Sequence, residues 1–266
     1  MQSLVGSLTM RDSIIGFARV FAVAALCAGL AVGCATPPQD PQARAAFEEA
    51  NDPLEPMNRA IFDVNLALDN AILKPVAIGY RDVVPADARN SLRNFFNNVA
   101  SPVIFINDVL QGEGARAMET LMRFVFNSTA GMLGLFDAAG EYGLERHKED
   151  FGQTLAVWGV DEGPYLMLPV FGPSNFRDTA GRVADSFMNP FTYWAKNNDL
   201  SLASLGARIV DGIDVRSRHI EELEDIEKNA LDFYATLRSL YRQNRRSEIL
   251  NGDVEDIPVP EIENDE

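Results

Sequence analysis

Four stretches without a charged residue constrain this chain most, because each is rich in large apolar side chains and none is long enough to cross a bilayer. They are Val99–Asn107, Phe124–Phe136, Gly163–Phe176 and Ser186–Ala195. A helix rises about 1.5 Å per residue, so even the longest reaches roughly 20 Å, against ~30 Å of hydrocarbon. Two arrangements stay open. The stretches form the buried core of a helical domain, or they lie flat in one leaflet with Phe, Tyr, Trp and Met at the acyl boundary.

Charge narrows the partners. The 266 residues carry 23 Lys+Arg against 39 Asp+Glu, a formal net charge of -16, which phosphate backbones of nucleic acid would repel. Residues 247–266 hold eight acids and no base, so this end reads as a solvated acidic tail. At the other end, Val20–Val32 is a 13-residue apolar run preceded by Arg11 and Arg19, with the proportions of a secretory h-region. Ala31-Val32-Gly33-Cys34 follows and resembles the bacterial lipobox, whose cysteine receives a diacylglyceryl group and an acyl chain. Cys27 follows Leu26, a poor cleavage residue, so Cys34 is the expected lipidation site. Ala35 in place of Asp points to the outer membrane, on the periplasmic side. Three buried chains, at about 0.8 kcal/mol per methylene, hold such an anchor firmly. The expected organisation is a signal peptide over 1–33, a lipidated tether over 34–50, a helical domain over 51–246 and the acidic tail over 247–266.

Helical periodicity dominates the body, punctuated by Pro and Gly. Pro56 opens a helix expected to run to Leu73 and stop at Lys74-Pro75. Pro85 opens Ala86–Val99, Ser101-Pro102 caps a separate Val103–Leu110 ended by Gly112, and a longer helix covers Ala115–Thr129. Tyr165–Phe171 reads as a loop or a short hairpin arm. Ile220, Leu223, Ile226, Ala230, Tyr234, Leu237 and Tyr241 step by three or four and form one apolar stripe, expected as a single last helix. That stripe packs on its own domain or on a partner helix. Gly131, Gly134 and Gly140 permit tight bends.

Catalytic machinery finds little support. His147 and His219 are the two histidines, and both cysteines lie within the first 34 residues, so no zinc-ligand spacing is assembled. Ser128 and Ser174 lack the Gly-x-Ser-x-Gly elbow, and no phosphate-binding glycine loop occurs. The chain is expected not to be an enzyme and to need no metal.

Several ordered motifs carry a resemblance. They are Asn51-Asp52-Pro53-Leu54-Glu55-Pro56-Met57-Asn58-Arg59, Lys74-Pro75-Val76-Ala77, Tyr80-Arg81-Asp82-Val83-Val84-Pro85 and Asp150-Phe151-Gly152-Gln153-Thr154-Leu155. Trp158-Gly159-Val160, Gly163-Pro164-Tyr165, Phe171-Gly172-Pro173, Arg177-Asp178 and the tail residues Arg238, Tyr241, Gln243 and Arg245 continue them. Together, over about residues 51–252, they resemble the MlaA (VacJ) family of outer-membrane phospholipid-transport lipoproteins. Asp232-Phe233 departs from the family's Asp-Pro at the entry to the last helix.

The resemblance implies an all-α fold: a ring of amphipathic helices lying in one membrane leaflet around a central polar channel, with short irregular or hairpin segments. It implies that phospholipid mislocalised in the outer leaflet passes through the channel to a soluble periplasmic carrier (MlaC-like), restoring lipid asymmetry, with a trimeric porin holding the ring. Phe62 and Asn65 fall in the segment that the resemblance assigns to gating. Arg177, Asp178 and Asp185, charged within an apolar neighbourhood, are candidate channel residues, since charge facing acyl chains is costly. Their alternative is a solvated face or a structural ion pair. For the whole chain, an envelope scaffold without a channel and a lipid hydrolase remain the competing readings.

Overall fold

The structure is a computed structural model that describes residues 35–252. The signal segment, Cys34 and residues 253–266 of the acidic tail lie outside the described residues.

Helix α1 (Pro41–Ala50) starts at Asp40, whose carboxylate accepts from Ala43 N at 2.9 Å, so the stretch read as a tether is helical. Helix α2 (Glu55–Leu68) begins with Pro56 in its first turn, as its fixed φ favours. It does not stop at Pro75. Asp69–Leu73 forms a π turn, in which Lys74 N donates to the Asp69 carbonyl five residues back, and α3 (Lys74–Val83) continues beyond it. A proline withholds one N–H, and the wider turn absorbs the mismatch that a regular helix would meet as a break.

Pro102 repeats the lesson. Ala86–Gln111 is one helix, α4, of 26 residues with Pro102 inside it, where two were expected. Ser101, expected as a cap, instead donates from its hydroxyl to the Asn97 carbonyl one turn back, at 3.1 Å. Gly112 ends α4 in the left-handed conformation (φ 83°), and α5 (Gly114–Thr129) matches the expected helix to within a residue. After a tight bend and the short α6 (Ala138–Glu141), an extended segment leads to α7 (Phe151–Val157), capped by Asp150.

Tyr165–Leu168 (β1) and Gly172–Asn175 (β2) form an antiparallel hairpin with Tyr165 opposite Asn175 and Leu168 opposite Gly172. Asn175 then caps α8 (Phe176–Met188), followed by α9 (Pro190–Asn197) and α10 (Ser201–Arg218). The single last helix expected from the apolar stripe is two helices, α11 (Ile220–Asn229) and α12 (Phe233–Ile249). Asp232 makes the break: its carboxylate accepts from Ala235 N at 3.1 Å and takes Arg59 Nη2 at 2.6 Å, so it caps a new helix rather than continuing the old one.

The fold is helical apart from this hairpin. Contacts between elements close a circuit: α2 runs through the π turn into α3, α3 packs on α10, α10 on α4, α4 on α7, α7 on α8, α8 on β2, and β1 returns to α2. The apolar core is small and sits at one place on the circuit, where Phe62, Tyr165, Met167 and Tyr234 meet, with Phe233 and Tyr241 packed against them. Phe62 meets Phe233 and Tyr234 edge-on, with centroids 5.4 and 5.6 Å apart. Elsewhere the usual distribution is inverted. Among the described residues, polar and charged side chains outnumber apolar ones in the buried set, Asn107, Asp108 and Thr154 being fully enclosed. Large apolar side chains face outward all round, as Leu133, Phe171, Phe187 and Leu202 do. No helix among the described residues is long and apolar enough to cross a membrane.

Candidate functional site

The five residues singled out in the sequence fall into two structural groups. Phe62 lies in the aromatic core, where Tyr234 stacks edge-on against it. Asn65 sits two turns after Asn58 on the same face of α2, and both bind the free edge of β1. Asn58 Nδ2 donates to the Tyr165 carbonyl at 3.0 Å and its Oδ1 accepts from Met167 N at 2.9 Å. Asn65 Nδ2 donates to the Leu168 carbonyl at 3.0 Å and its Oδ1 accepts from Val170 N at 2.8 Å. Two helical asparagines thus stand in for a neighbouring strand. Asn65 also holds Val170 at φ 69°, a conformation a β-branched residue avoids, while Val170 and Phe171 project outward at the hairpin tip.

Arg177 and Asp178 belong to a buried ion-pair network where α7, α8 and α12 meet. Arg245 reaches Asp178 Oδ2 at 2.9 Å through Nε and Asp178 Oδ1 at 3.0 Å through Nη2, while its Nη1 and Nη2 bind Asp150 at 2.7 and 2.6 Å. Tyr241 donates to Asp178 at 2.5 Å, Asn175 Nδ2 donates to it at 2.9 Å, and Arg177 Nε donates to it at 3.1 Å. Burial alone would raise the Asp178 and Asp150 carboxyls, but Arg245 outweighs it and holds both below the usual carboxylate range. Gly152 and Gly181 let α7 and α8 touch backbone to backbone beside this network, since a Cβ on Gly181 would run into Gly152 N. Asp185 lies nearby, accepting from Asn107 Nδ2 at 3.1 Å and from Phe151 N at 3.1 Å. Without a cationic partner in contact, its carboxyl is pushed up by burial.

A second charged region, which spacing did not assemble, borders α3, α4, α5, α10 and the segment before α7. Asp214 of α10, 1% exposed, takes Arg218 Nη2 at 3.1 Å and Arg93 Nε at 3.6 Å, and Tyr80 OH donates to its Oδ1 at 3.4 Å. Arg123 of α5 binds Asp137 at 2.8 Å and donates to the Leu144 carbonyl. Arg146 faces this basin with no hydrogen bond or ion pair among the described residues. Burial, then Arg123, Arg218 and Arg93, lower its pKa. Opposite, burial and then Asp214 raise the Asp211 carboxyl, against Arg218, Arg146 and Lys148. A cavity of about 30 Å³ opens beside Arg123, Arg146 and His147, room for one or two waters.

Asp108, His147 and Glu149 converge behind that cavity, with ligand-type atoms within 4.8 Å of one another, a trio not assembled from the sequence. Each already has partners. His147 Nε2 lies 3.0 Å from Asp108 Oδ1, Thr120 donates to Asp108 Oδ2 at 2.7 Å, and Arg116 and Gln111 take the two oxygens of Glu149 at 2.7 and 2.8 Å. Among the hydrogen-bonded groups of the described residues, no serine, imidazole and carboxylate line up for nucleophilic attack.

A helical protein with a polar interior, an apolar exterior and a closed circuit of elements is of the membrane-seated class rather than of the water-soluble globular one. Comparison with known proteins gives the particular family: residues 50–248 match the family model described as MlaA lipoprotein, and the chain belongs to that family. It is 36% identical over 202 residues to an uncharacterized protein of Rickettsia bellii, covering 76% of this chain and 78% of that one. It is 36% identical over 232 residues to the intermembrane phospholipid transport system lipoprotein MlaA of Escherichia coli, covering 86% of this chain and 87% of that protein. The Haemophilus influenzae protein of the same name is 32% identical over 209 residues, covering 77% and 81%. A solved structure described as the structural basis for maintenance of bacterial outer membrane lipid asymmetry superposes with a TM-score of 0.67 at 37% identity, covering 74% of this chain and 98% of that one.

Proposed function

We propose that this chain is an outer-membrane lipoprotein that removes phospholipid mislocalised in the outer leaflet and passes it, through a polar channel, to a periplasmic carrier for return to the inner membrane. The inverted distribution of side chains carries this reading: charged and amide groups are buried between the elements of the circuit while large apolar groups are exposed. In a single leaflet the outer surface meets acyl chains and the charges avoid them. The exposed apolar bends fit the same placement. Met132 and Leu133, both at positive φ, and Val170-Phe171 are tips that water would not favour and a leaflet would.

Cys34 is the proposed attachment point for the lipid anchor, and the acidic tail the proposed solvated end. A trimeric porin is the proposed partner that holds the ring, and the carrier collects the lipid without covalent chemistry. The names of the Escherichia coli and Haemophilus influenzae relatives support phospholipid as the cargo. Phe62 and Asn65 enter this scheme by seating the hairpin, and Arg177, Asp178 and Asp185 by holding α7, α8, α4 and α12 in register around the channel.

The test pairs two measurements: lipid bound to the protein purified in mild detergent, and phospholipid at the cell surface of a deletion strain with and without the restored gene. Intact phospholipid on the protein and surface accumulation reversed by the gene are expected. Lysolipid or free fatty acid appearing with the pure protein would replace transport by hydrolysis, and absence of both signals would leave a scaffold.

A further inference from the structure

The cavity between α4, α5 and the segment preceding α7 is unusual for so acidic a chain. Arg123, Arg146 and His147 line it together with the amides of Asn97, Asn98 and Asn127, and no carboxylate does. Arg123 is 9% exposed, Asn98 and Asn127 6% each, so the donors are built into the wall rather than scattered on a surface. Arg123 is fixed by Asp137 and the Leu144 carbonyl, Asn127 by Asp137, and His147 by Asp108, whose carboxylate stays outside the lining.

Arg146 is exposed, and its guanidinium brings five N–H donors that meet no protein acceptor among the described residues and can turn from water to an anion. Burial and then Arg123, Arg218 and Arg93 lower its pKa while Asp137 raises it, the three arginines being themselves paired with Asp137 and Asp214. Asn98 Oδ1 is buried without a hydrogen-bond partner on the same wall, an acceptor that a water accompanying the anion would satisfy and the anion itself would not. Unsatisfied buried polar atoms are rare in folded proteins and mark where a water or a ligand completes the structure.

We propose that this cavity is a phosphate-binding station, in which Arg146 and Arg123 take the two non-ester oxygens of a phosphodiester. The volume of about 30 Å³ suits those two oxygens at the positions of one or two waters, with the rest of the group remaining in the open basin. Paired N–H groups of an arginine match such oxygens in geometry as well as charge. The proposal rests on the transport reading for its cargo: the phosphate is that of a lipid headgroup, and free inorganic phosphate is the other source of the same chemistry. The station gives the channel a reason to hold a headgroup while the acyl chains turn past it.

The experiment places a photoreactive amino acid at Asn97, on the cavity wall, and separately at Lys148, in the basin, in the full-length lipoprotein of cells grown on 32P-orthophosphate. Labelled phospholipid captured at position 97, falling at least tenfold in Arg146→Gln and less in Arg146→Lys, upholds the station. Sodium phosphate titrated into the purified protein gives the second arm: heat of binding that Arg146→Gln abolishes, with no lipid captured at 97, upholds an oxyanion site filled by free phosphate. Lipid captured at 148 but not at 97, unchanged by Arg146→Gln, overturns the station and leaves the channel standing. No lipid at either position and none on the purified protein overturns the channel reading, and the phosphate titration then decides the cavity alone. Thermal unfolding of each variant shows whether it is folded.

Discussion

The network around Arg245 and the basin around Arg146 are both charged, yet the first is buried and the second leaves Arg146 exposed, and they are built to opposite ends. Arg245 spends its guanidinium on Asp178 and Asp150, and Asp178 is further bound by Tyr241, Asn175 and Arg177. Every charge has a partner at bonding distance, which turns three helices into one rigid corner. Arg146 has no such partner among the described residues, and Arg123, Arg218 and Arg93 repel it while Asp137 attracts it from a distance. A saturated site stabilises the fold, whereas an unsaturated one keeps interaction energy in reserve for something that arrives. Lesions in the two regions therefore separate stability from transport.

The largest expected effect is on the saturated side. Arg245→Leu leaves Asp150 and Asp178 buried without their cation, and breaking such a pair costs about 3–5 kcal/mol. A clear fall in unfolding temperature in detergent and in lipoprotein abundance in cells is expected. An unchanged unfolding temperature would remove the distinction drawn here. Gly181→Ala forces a methyl onto the Gly152 backbone where α7 and α8 touch and should cost about 1–3 kcal/mol by the same measurement.

Acid probes the network without mutation. Asp150 and Asp178 titrate below the usual carboxylate range, so their stabilisation is complete above the unfolded carboxylate value of about 4 and drains away as pH falls through their folded values. Glu149, Asp185 and Asp211 are raised by burial, so they favour the fold in acid and lose that contribution as pH rises through their folded values. Unfolding scans from pH 3 to 7 should show the acid loss in the parent and its disappearance or reversal in Arg245→Leu, where burial raises both carboxyls with no cation to oppose it.

Smaller effects sharpen the comparison. Asn65→Ala removes two hydrogen bonds from the edge of β1 and should cost about 1–2 kcal/mol. Hydrogen exchange should quicken at the Val170 amide while α12 is unaffected. Arg146→Gln should stay within about 0.5 kcal/mol of the parent, as surface changes without partners do, while impairing removal of surface phospholipid. A destabilised Arg146→Gln would show that the basin, too, is structural.

What was legible beforehand followed local rules. The helix over Ala115–Thr129 needed only periodicity, and the hairpin followed from the Gly-Pro pairs flanking Tyr165–Phe171. The prolines misled, because Pro75 follows a π turn that widens the backbone and Pro102 forfeits one hydrogen bond inside a helix held by its packing on α5, α7 and α10. Asp232 was noticed as a departure, but its capping depends on Arg59, which approaches from a distant part of the chain. Of the site, Arg177 and Asp178 stood as channel residues or else as a solvated face or a structural ion pair; the structure places them in a buried ion-pair network, whose centre Arg245 was visible only as part of a helix end. Arg146 lies beside His147 in an unremarkable charged run. Nothing in its spacing reveals that Arg93 and Arg218, from two other helices, share its space.

The π turn between α2 and α3 has a consequence for how this molecule can change. The π turn closes its hydrogen bond over five residues instead of four, so one extra residue is taken up within the turn and the helix beyond it keeps its course. The face of α2 that holds the hairpin and the face of α3 that buries Ala77 against α10 are thus kept in place although their spacing in the sequence is one residue out of helical register. Deleting one residue from Asp69–Leu73 would exchange the wide turn for a regular one and leave Ala77 on its contact. The same one-codon deletion anywhere else in this arm would turn every later side chain by about 100°.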